Sequence, residues 1–166
     1  MCCIGELAFL RYNSSMINSI TKHPRYPNLL VFLQFFIIGL MALLSKGFFS
    51  SSFGLATFIA GAILGLWALT HNQLGNFHIQ PKLREGSKLI TTGIYTWVRH
   101  PMYSSVIVMM LGFLLSTPTL VETLLWFILI AVLLLKAKRE ESLWLNHDEA
   151  YEAYKNSTKL FIPYIL

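Results

Sequence analysis

Four apolar stretches constrain the fold of this chain more than any other feature of its sequence. The first three cover residues 28–44, 53–70 and 101–116, and the fourth begins near Thr119 and is continuously apolar over residues 124–135. A helix needs about 20 mainly apolar residues, and no fewer than about 17, to cross the hydrocarbon core of a bilayer. The first two stretches reach this length, whereas the third and fourth are short when each is considered alone.

The connection between the third and fourth stretches is only Thr117-Pro118-Thr119. So short a connection favours a tight helical hairpin whose ends are shielded by protein or extend into the membrane interface. A re-entrant hairpin is the alternative. The sequence therefore predicts an all-α integral membrane helical bundle of about four transmembrane helices, with a tight hairpin of the third and fourth.

The composition also points to lipid as the partner of the apolar surface. Hydrophobic residues make up 55% of the chain and charged residues 13%, whereas soluble domains average about 25% charged residues. The net charge of +5 could suggest a nucleic-acid partner. However, the basic residues lie just outside the apolar stretches, where they are placed to meet lipid headgroups. We therefore predict a bilayer partner and no nucleic acid.

The distribution of lysine and arginine predicts the orientation of the chain. Twelve of the thirteen basic residues precede the first stretch, lie between the second and third, or follow the fourth. Only Lys46 lies in the other two connections. By the positive-inside rule, both termini are predicted to be cytoplasmic, with an even number of spans.

Residues 1–27 form an N-terminal segment that we predict to be cytoplasmic or interfacial. A weak pattern over residues 7–20 is consistent with a short interfacial helix. Residues 1–26 contain no early uninterrupted apolar core, so we do not predict a cleaved signal peptide. The two cysteines are the adjacent Cys2 and Cys3. Adjacent cysteines seldom pair and have no metal-ligand spacing, so neither a disulfide framework nor a metal site is predicted.

Gly61 and Gly65 form a small-xxx-small pair within the second stretch. Such a pair allows another helix to approach closely. Ordinary helix packing is the simpler interpretation. A lateral gap, through which a lipophilic molecule could enter between the first, second and fourth spans, is the alternative.

Two polar segments are richer in reactive side chains than simple connectors need to be: residues 71–105 and 136–166. The span from Lys136 to Lys155 lacks Gly and Pro, which predicts that the fourth helix continues beyond the membrane as a cytoplasmic C-terminal helix. Helical spacing places one polar and aromatic stripe on this helix: Glu140, Trp144, His147, Tyr151 and Tyr154. An interfacial aromatic belt with a solvated charged face would produce the same pattern.

In the first polar segment, Arg99 and His100 come just before Pro101, which suits the first turn of the third helix. Free N–H groups and the positive end of the helix dipole make that position favourable for a carboxylate ligand. Tyr95 and Tyr103 lie close by in the sequence. The alternative is that Arg99 anchors the loop to headgroups and that His100 caps or packs against the helix.

These motifs together resemble a known family. Residues 89–103 read Leu-Ile-Thr-Thr-Gly-Ile-Tyr-Thr-Trp-Val-Arg-His-Pro-Met-Tyr, and Glu140-Glu141 follows one apolar hairpin later. Tyr151, Tyr154 and Pro163 complete the pattern. The run is similar to the core motif of the isoprenylcysteine carboxyl methyltransferase family, which has phospholipid methyltransferase relatives. The resemblance covers roughly residues 70–166, and the first two spans resemble the family in hydropathy alone.

The resemblance implies a single membrane methyltransferase domain over residues 28–166, with a site for S-adenosyl-L-methionine formed by residues 71–105 and 136–166. In that family pattern Arg99, His100 and Tyr103 hold the amino-acid end of the cofactor and Glu140 meets its ammonium. The remaining cofactor-binding positions implied are Leu89, Gly93, Ile94, Tyr95, Tyr151 and Pro163, with Tyr164 beside Pro163 at the closure of the pocket.

Two features depart from the family pattern. His147-Asp148 stands where Phe-Gly often precedes the first of the paired tyrosines, so that helix end is expected to differ. Glu140 aligns with the acidic residue of the family pattern better than Glu141 does, although the alignment can shift by one residue. The acceptor is expected to be lipophilic, and neither a general base nor an oligomeric state is assigned.

The resemblance leaves several functions open. The leading one is methyl transfer to a lipophilic acceptor, such as a prenylated carboxylate, at the cytoplasmic membrane face. A phospholipid N-methyltransferase that acts on ethanolamine headgroups is the main alternative. A non-catalytic membrane scaffold and a haem-binding membrane protein are two others, although no histidine lies inside the four apolar stretches.

Overall fold

The computed structural model describes residues 25–72 and 88–162. Within these ranges the chain is helical, with one isolated parallel bridge between Val98 and Lys159. The helices are, in chain order, α1 (Tyr26–Leu44), α2 (Ser52–His71), α3 (Pro101–Ser116), α4 (Leu120–Leu145) and α5 (Ala150–Ser157). Short 3₁₀ turns cover Phe48–Ser50 and Gly93–Thr96. The suggested helix at residues 7–20, the rest of residues 1–24, and Pro163 and Tyr164 lie outside the described residues.

The four apolar stretches are confirmed as helices, and local chemistry explains where they begin. Proline occupies the first turn of both α1 and α3, where its missing N–H has no helical partner to lose. The Ser51 hydroxyl accepts a hydrogen bond from the backbone N–H of Gly54 at the start of α2. Thr119 caps α4 in the same way through the N–H of Glu122.

The closest helix pair is α2 and α3, which run antiparallel. A Cβ added at Gly61 would lie 2.6 Å from the backbone nitrogen of Met109, and one added at Gly65 would lie 3.0 Å from the Ser105 hydroxyl. The small-xxx-small pair therefore serves helix packing, as its simpler interpretation predicted. These two glycines face α3 and do not line a lateral gap.

Substitution at Gly61 tests this packing. Gly61→Ala is expected to lower the free energy of unfolding by about 1–3 kcal/mol, because the new methyl group meets backbone atoms of α3 that cannot move independently. Gly39→Ala is the matched control, since a Cβ at Gly39 meets nothing within 4 Å. That control should be neutral or stabilising by up to about 1 kcal/mol through helix propensity. Thermal unfolding of both variants in detergent checks the prediction, and equal midpoints would contradict it.

Helix α4 packs against both α1 and α3. The buried positions of α1 recur at helical spacing: Leu30, Gln34, Ile37 and Met41. The three apolar ones share one hydrophobic cluster with Leu129, Leu133 and Ala137 of α4, which are fully buried. The indole N–H of Trp126 donates a hydrogen bond to the backbone carbonyl of Ile107 across the α3–α4 hairpin, at 3.0 Å. The tight Thr117-Pro118-Thr119 connection is thereby confirmed.

The outward faces of the helices are strongly apolar. Many large hydrophobic side chains on α1, α2 and α4 are exposed, among them Phe32, Ile63 and Phe127. In the described part of the chain three helices, α1, α2 and α4, are long and apolar enough to cross a membrane, and α3 is a shorter apolar helix. An apolar outer surface around a packed interior is the arrangement expected of a bundle in lipid.

The predicted continuous helix from Lys136 to Lys155 is wrong, because α4 ends at Leu145 and α5 begins at Ala150. The Asn146 amide donates to the carbonyl of Ser142, and the Asp148 carboxylate accepts from the N–H of Ala150. Short polar side chains of this kind compete with helical hydrogen bonds and favour helix ends. The predicted single stripe is consequently divided between two helices, and His147 lies exposed in the turn.

Candidate functional site

The site lies at the polar end of the bundle, where the segment before α3 meets the segment after α5. The backbone N–H groups of Arg99 and His100 donate to the carbonyls of Lys159 and Leu160, at 2.8 and 3.1 Å. The Ser104 hydroxyl donates to the carbonyl of Phe161 at 2.6 Å. The two polar segments singled out in the sequence are thus joined, in their described parts, by main-chain hydrogen bonds.

Arg99 is the centre of this junction. Its Nε donates to Glu141 Oε1 at 2.6 Å, and its terminal nitrogen donates to the carbonyl of Lys155 at 2.9 Å and to that of Thr158. The Arg99 side chain is only 10% exposed and that of Glu141 only 8%. Arg99 therefore attaches the segment after α5 to α4, instead of facing solvent or headgroups.

Glu141 is shared among three basic side chains. In addition to Arg99, the Lys155 ammonium lies 3.1 Å from Oε2, and His100 Nε2 lies 3.7 Å from Oε1. A groove of about 290 Å³ opens beside Glu141 and is lined by Lys138, Ser142, Leu145, Asn146 and Lys155. Glu141 thus lies between the buried junction and an opening to the outside.

Glu140, the neighbouring carboxylate, faces α3. It accepts a hydrogen bond from the Tyr103 hydroxyl through Oε1, and its Oε2 lies 3.5 Å from His100 Nδ1. The imidazole of His100 stacks on the Tyr103 ring, with centroids 5.4 Å apart and planes within 4°. The Phe161 ring packs edge-on against both. The two adjacent acids therefore have different partners, and Glu140 is the more exposed of the two, at 21%.

The charge state of His100 follows from these neighbours. Burial disfavours the imidazolium, but the carboxylates of Glu140 and Glu141 stabilise it more strongly, so the pKa of His100 is raised above its usual value. Its Nε2 is buried and has no hydrogen-bond partner among the described residues. The two carboxylates thus favour the protonated imidazole, and Nε2 lies 3.7 Å from Glu141 Oε1, beyond hydrogen-bond distance.

The raised pKa of His100 predicts a pH-dependent stability. A group whose pKa is higher in the folded than in the unfolded state contributes stability fully below its unfolded pKa of about 6.5, and loses that contribution as the pH rises through the folded value. We therefore expect the thermal midpoint of the wild type to fall towards that of His100→Gln as the pH rises from about 6 to about 9. His147→Gln, which removes an exposed histidine outside the cluster, should retain the wild-type slope. A constant difference between the wild type and His100→Gln would contradict the prediction.

The turn at Gly93–Thr96 forms a second wall of the site. Gly93 has a φ of +63°, and a Cβ there would clash with the imidazole of His71. Ile94 is buried against Ala68 and Val98. The carbonyl of Tyr95 accepts from the Tyr154 hydroxyl at 2.7 Å, and burial, together with the charge of Glu140, raises the pKa of the Tyr95 phenol to about 12. The turn is thereby held between α2 and α5.

The residues named from the sequence are distributed unevenly around the site. His100, Tyr103 and Glu140 form one contact cluster, and Arg99 adjoins it through Glu141. Tyr151 is buried beside it and stacks on Trp144, with ring centroids 5.9 Å apart. Gly93, Ile94 and Tyr95 lie in the 3₁₀ turn, and the half-buried Leu89 precedes that turn. Pro163 lies outside the described residues.

Sequence reasoning missed three residues that the structure places in the cluster. Thr158 receives hydrogen bonds from Arg99, and Phe161 packs on His100 and Tyr103. Lys136 lies with its ammonium 5.1 Å from the centre of the Tyr103 ring. The available signal for Lys136 was its position as the first charge after the fourth apolar stretch, one helical turn before Glu140.

Comparison with known proteins identifies the family. A search of curated proteins finds no match for this sequence. A family model described as phospholipid methyltransferase matches residues 49–152, which is more than half of the chain and includes α2, α3, α4 and the Arg99-His100 pair. This match confirms the resemblance found in the sequence, and with the long apolar helices it indicates a membrane methyltransferase. The chain belongs to the phospholipid methyltransferase family.

Proposed function

We propose that this protein transfers a methyl group from S-adenosyl-L-methionine to a lipophilic acceptor at the membrane surface. The observation that carries the proposal is the cluster of Glu140, His100 and Tyr103 at the polar end of an apolar bundle. Methyltransferases of this family generally use that cofactor. The proposal therefore combines the reaction of the family with the charged and aromatic side chains that form this cluster.

The side chains present suit the amino-acid end of such a cofactor. The Glu140 carboxylate is partly exposed and can receive an ammonium group. His100 Nε2 makes no hydrogen bond in the described residues, and when protonated it can donate to a carboxylate. Gly93, Ile94 and Tyr95 offer a compact turn for the adenosine. Leu89 and Tyr151 border that region, and Pro163 remains a proposed contact from the family pattern alone.

Arg99 has a different role in this proposal from the one that the family resemblance implied. Its guanidinium already contacts Glu141 and two backbone carbonyls. Direct binding of a cofactor carboxylate would require some of these bonds to be exchanged. We therefore propose that Arg99 mainly maintains the junction on which His100 and Tyr103 are positioned.

When bound, the cofactor supplies an electrophilic methyl group on a cationic sulfonium. The residues of this chain contribute binding and orientation, which provide much of the rate of an in-line displacement. The carboxylates of Glu140 and Glu141 raise the pKa of His100, so we assign His100 an orienting role and not that of the base. A carboxylate acceptor needs no base, which favours the isoprenylcysteine-type reaction in this site.

A phospholipid amine is the second candidate acceptor, and the description of the matching family model favours it. An ethanolamine headgroup must lose a proton before or during methylation. We assign no acceptor for that proton, because Glu140, the more exposed of the two central carboxylates, is proposed to meet the cofactor's ammonium. The two candidate acceptors thus differ in whether the reaction requires a base.

We further propose that four helices span the membrane and that the polar end faces the cytoplasm. Helix α3 has 16 residues and a length of about 24 Å at 1.5 Å per residue, which is short for the hydrocarbon core. Its close contact with α2 shields its polar backbone ends. The concentration of basic residues at the polar end supports the cytoplasmic orientation.

A transfer assay with radiolabelled cofactor tests the proposal directly. The purified full-length chain is offered a farnesylated cysteine derivative in one reaction and phosphatidylethanolamine vesicles in another, and the extracted lipids are counted. Label in the first product supports the carboxylate acceptor, and label in mono- or dimethylated ethanolamine lipid supports the amine acceptor. Absence of both transfer and cofactor binding would contradict the proposed function.

A further inference from the structure

Lys136 is an unusually placed charge for a helix in an apolar bundle. Its residue is only 2% exposed, and it is the largest fully buried side chain of the described residues. The preceding turns of α4 are apolar and the Glu140-Glu141 pair follows one turn later. A lysine could reach water from this position only by leaving the interior, so its buried placement requires specific stabilisation.

That stabilisation comes from two different helices. The Lys136 ammonium donates to Gln34 Oε1 of α1 at 2.6 Å, across 102 residues of sequence. It also lies over the Tyr103 ring of α3, 5.1 Å from the centroid, which is within the range of a cation–π contact. Gln34 is itself buried, at 7% exposure. Lys136 therefore connects α1 to the ring whose hydroxyl donates to Glu140.

Helix α1 is positioned against the site by this contact and by a second one. The guanidinium of Arg139 lies 5.7 Å from the centre of the Tyr26 ring at the start of α1. Helix α1 precedes the region matched by the family model, which begins at residue 49. The Gln34–Lys136 contact is thus a link from a part of this chain outside the matched region to the centre of the candidate site.

We propose that Lys136 is a positioning residue for cofactor binding, and that Gln34 of α1 holds it in place over Tyr103. This inference rests on the proposed function, because it assumes that Tyr103 and Glu140 border the cofactor. The Lys136 ammonium is attracted to the electron-rich face of the Tyr103 ring and fixes the position of that ring. The Tyr103 hydroxyl in turn orients the Glu140 carboxylate. Lys136 acts through Tyr103 and does not touch the cofactor.

The arrangement has a testable energetic property. Removing one member of a buried polar pair leaves the other without its partner, whereas replacing both by apolar side chains of similar shape can be nearly neutral for stability. If the pair only stabilised the fold, stability and cofactor affinity would recover together in the double variant. A positioning role predicts that stability recovers and affinity does not, because the cation over Tyr103 is still absent.

The experiment compares Lys136→Met, Gln34→Leu, the double variant and Lys136→Arg in the full-length chain purified in detergent. Thermal unfolding reports stability, and calorimetric titration with S-adenosylhomocysteine reports affinity. We expect Lys136→Met to weaken binding by about tenfold and to lower the midpoint. The double variant should regain most of the midpoint while its binding remains about tenfold weaker than that of the wild type. Lys136→Arg should bind with an affinity within about threefold of that of the wild type. Lys46→Met replaces an exposed lysine at the opposite end of the bundle and should bind as the wild type does.

Two results would overturn the inference. One is wild-type affinity in Lys136→Met, and the other is recovery of affinity together with stability in the double variant. Both require that the wild type binds S-adenosylhomocysteine. A wild-type protein that folds but does not bind would instead contradict the proposed function, so the two failures are distinguishable.

Discussion

Replacing Glu141 by alanine is expected to lower the free energy of unfolding by about 3–5 kcal/mol, the cost typical of breaking a buried ion pair. The substitution leaves Arg99, whose side chain is 10% exposed, without its carboxylate partner. It also releases Lys155 from its 3.1 Å contact. Because Arg99 attaches the segment after α5 to α4, we expect that segment to detach before the membrane helices unfold.

The measurement is thermal unfolding in detergent, combined with limited proteolysis of the region after α4. Glu152→Ala is the matched control, since Glu152 is an exposed acid on α5. That variant should change the free energy of unfolding by no more than about 0.5 kcal/mol. A Glu141→Ala protein as stable and as protease-resistant as Glu152→Ala would show that the Arg99 junction contributes little to the fold.

Replacing Glu140 by glutamine is expected to reduce the affinity for S-adenosylmethionine by about 10- to 100-fold, which corresponds to about 1.5–3 kcal/mol for a hydrogen bond to a charged group. Glutamine retains a carbonyl oxygen that can accept the bond from Tyr103. It lacks the negative charge that would meet the cofactor's ammonium. The thermal midpoint without cofactor should therefore change much less than in Glu141→Ala.

Binding of S-adenosylmethionine or S-adenosylhomocysteine, measured by calorimetry, checks this result. Lys46→Ala is the control for purification and membrane insertion, because Lys46 lies in the α1–α2 connection at the opposite end of the bundle. Binding by Glu140→Gln within about twofold of the wild type would overturn the assigned role of Glu140. We therefore expect the two variants to differ, with Glu141→Ala affecting mainly stability and Glu140→Gln mainly cofactor affinity.

The helices were predictable because their signals are local. Apolar composition over some 17–20 residues predicts a membrane helix, and Pro27, Pro101 and Thr119 mark helix starts through the hydrogen bonds that the first turn lacks. Gly61 and Gly65 indicated a close helix contact for an equally local reason, the absence of a side chain. Their partner helix, however, was not specified by their spacing.

The C-terminal region was predicted less well. The absence of Gly and Pro between Lys136 and Lys155 suggested one helix, yet Asn146 and Asp148 end α4 and begin α5 with their own side-chain hydrogen bonds. The departure at His147-Asp148 was the available sign. The break also lets the chain after α5 return to Arg99, whose carbonyl partners at Lys155 and Thr158 could not be inferred from spacing.

By itself the sequence determined the helical class, the four apolar segments, the Arg-His-Pro motif at the start of α3 and the acidic pair that follows the apolar part of α4. These properties depend on neighbours within a few residues, or on composition. Only the tertiary structure decided that Glu141 pairs with Arg99, that Glu140 faces Tyr103, and that Lys136 reaches Gln34. Those contacts connect residues between 37 and 102 positions apart. Which side chains meet over such separations depends on how the helices pack and rotate against each other, and no local pattern contains that information.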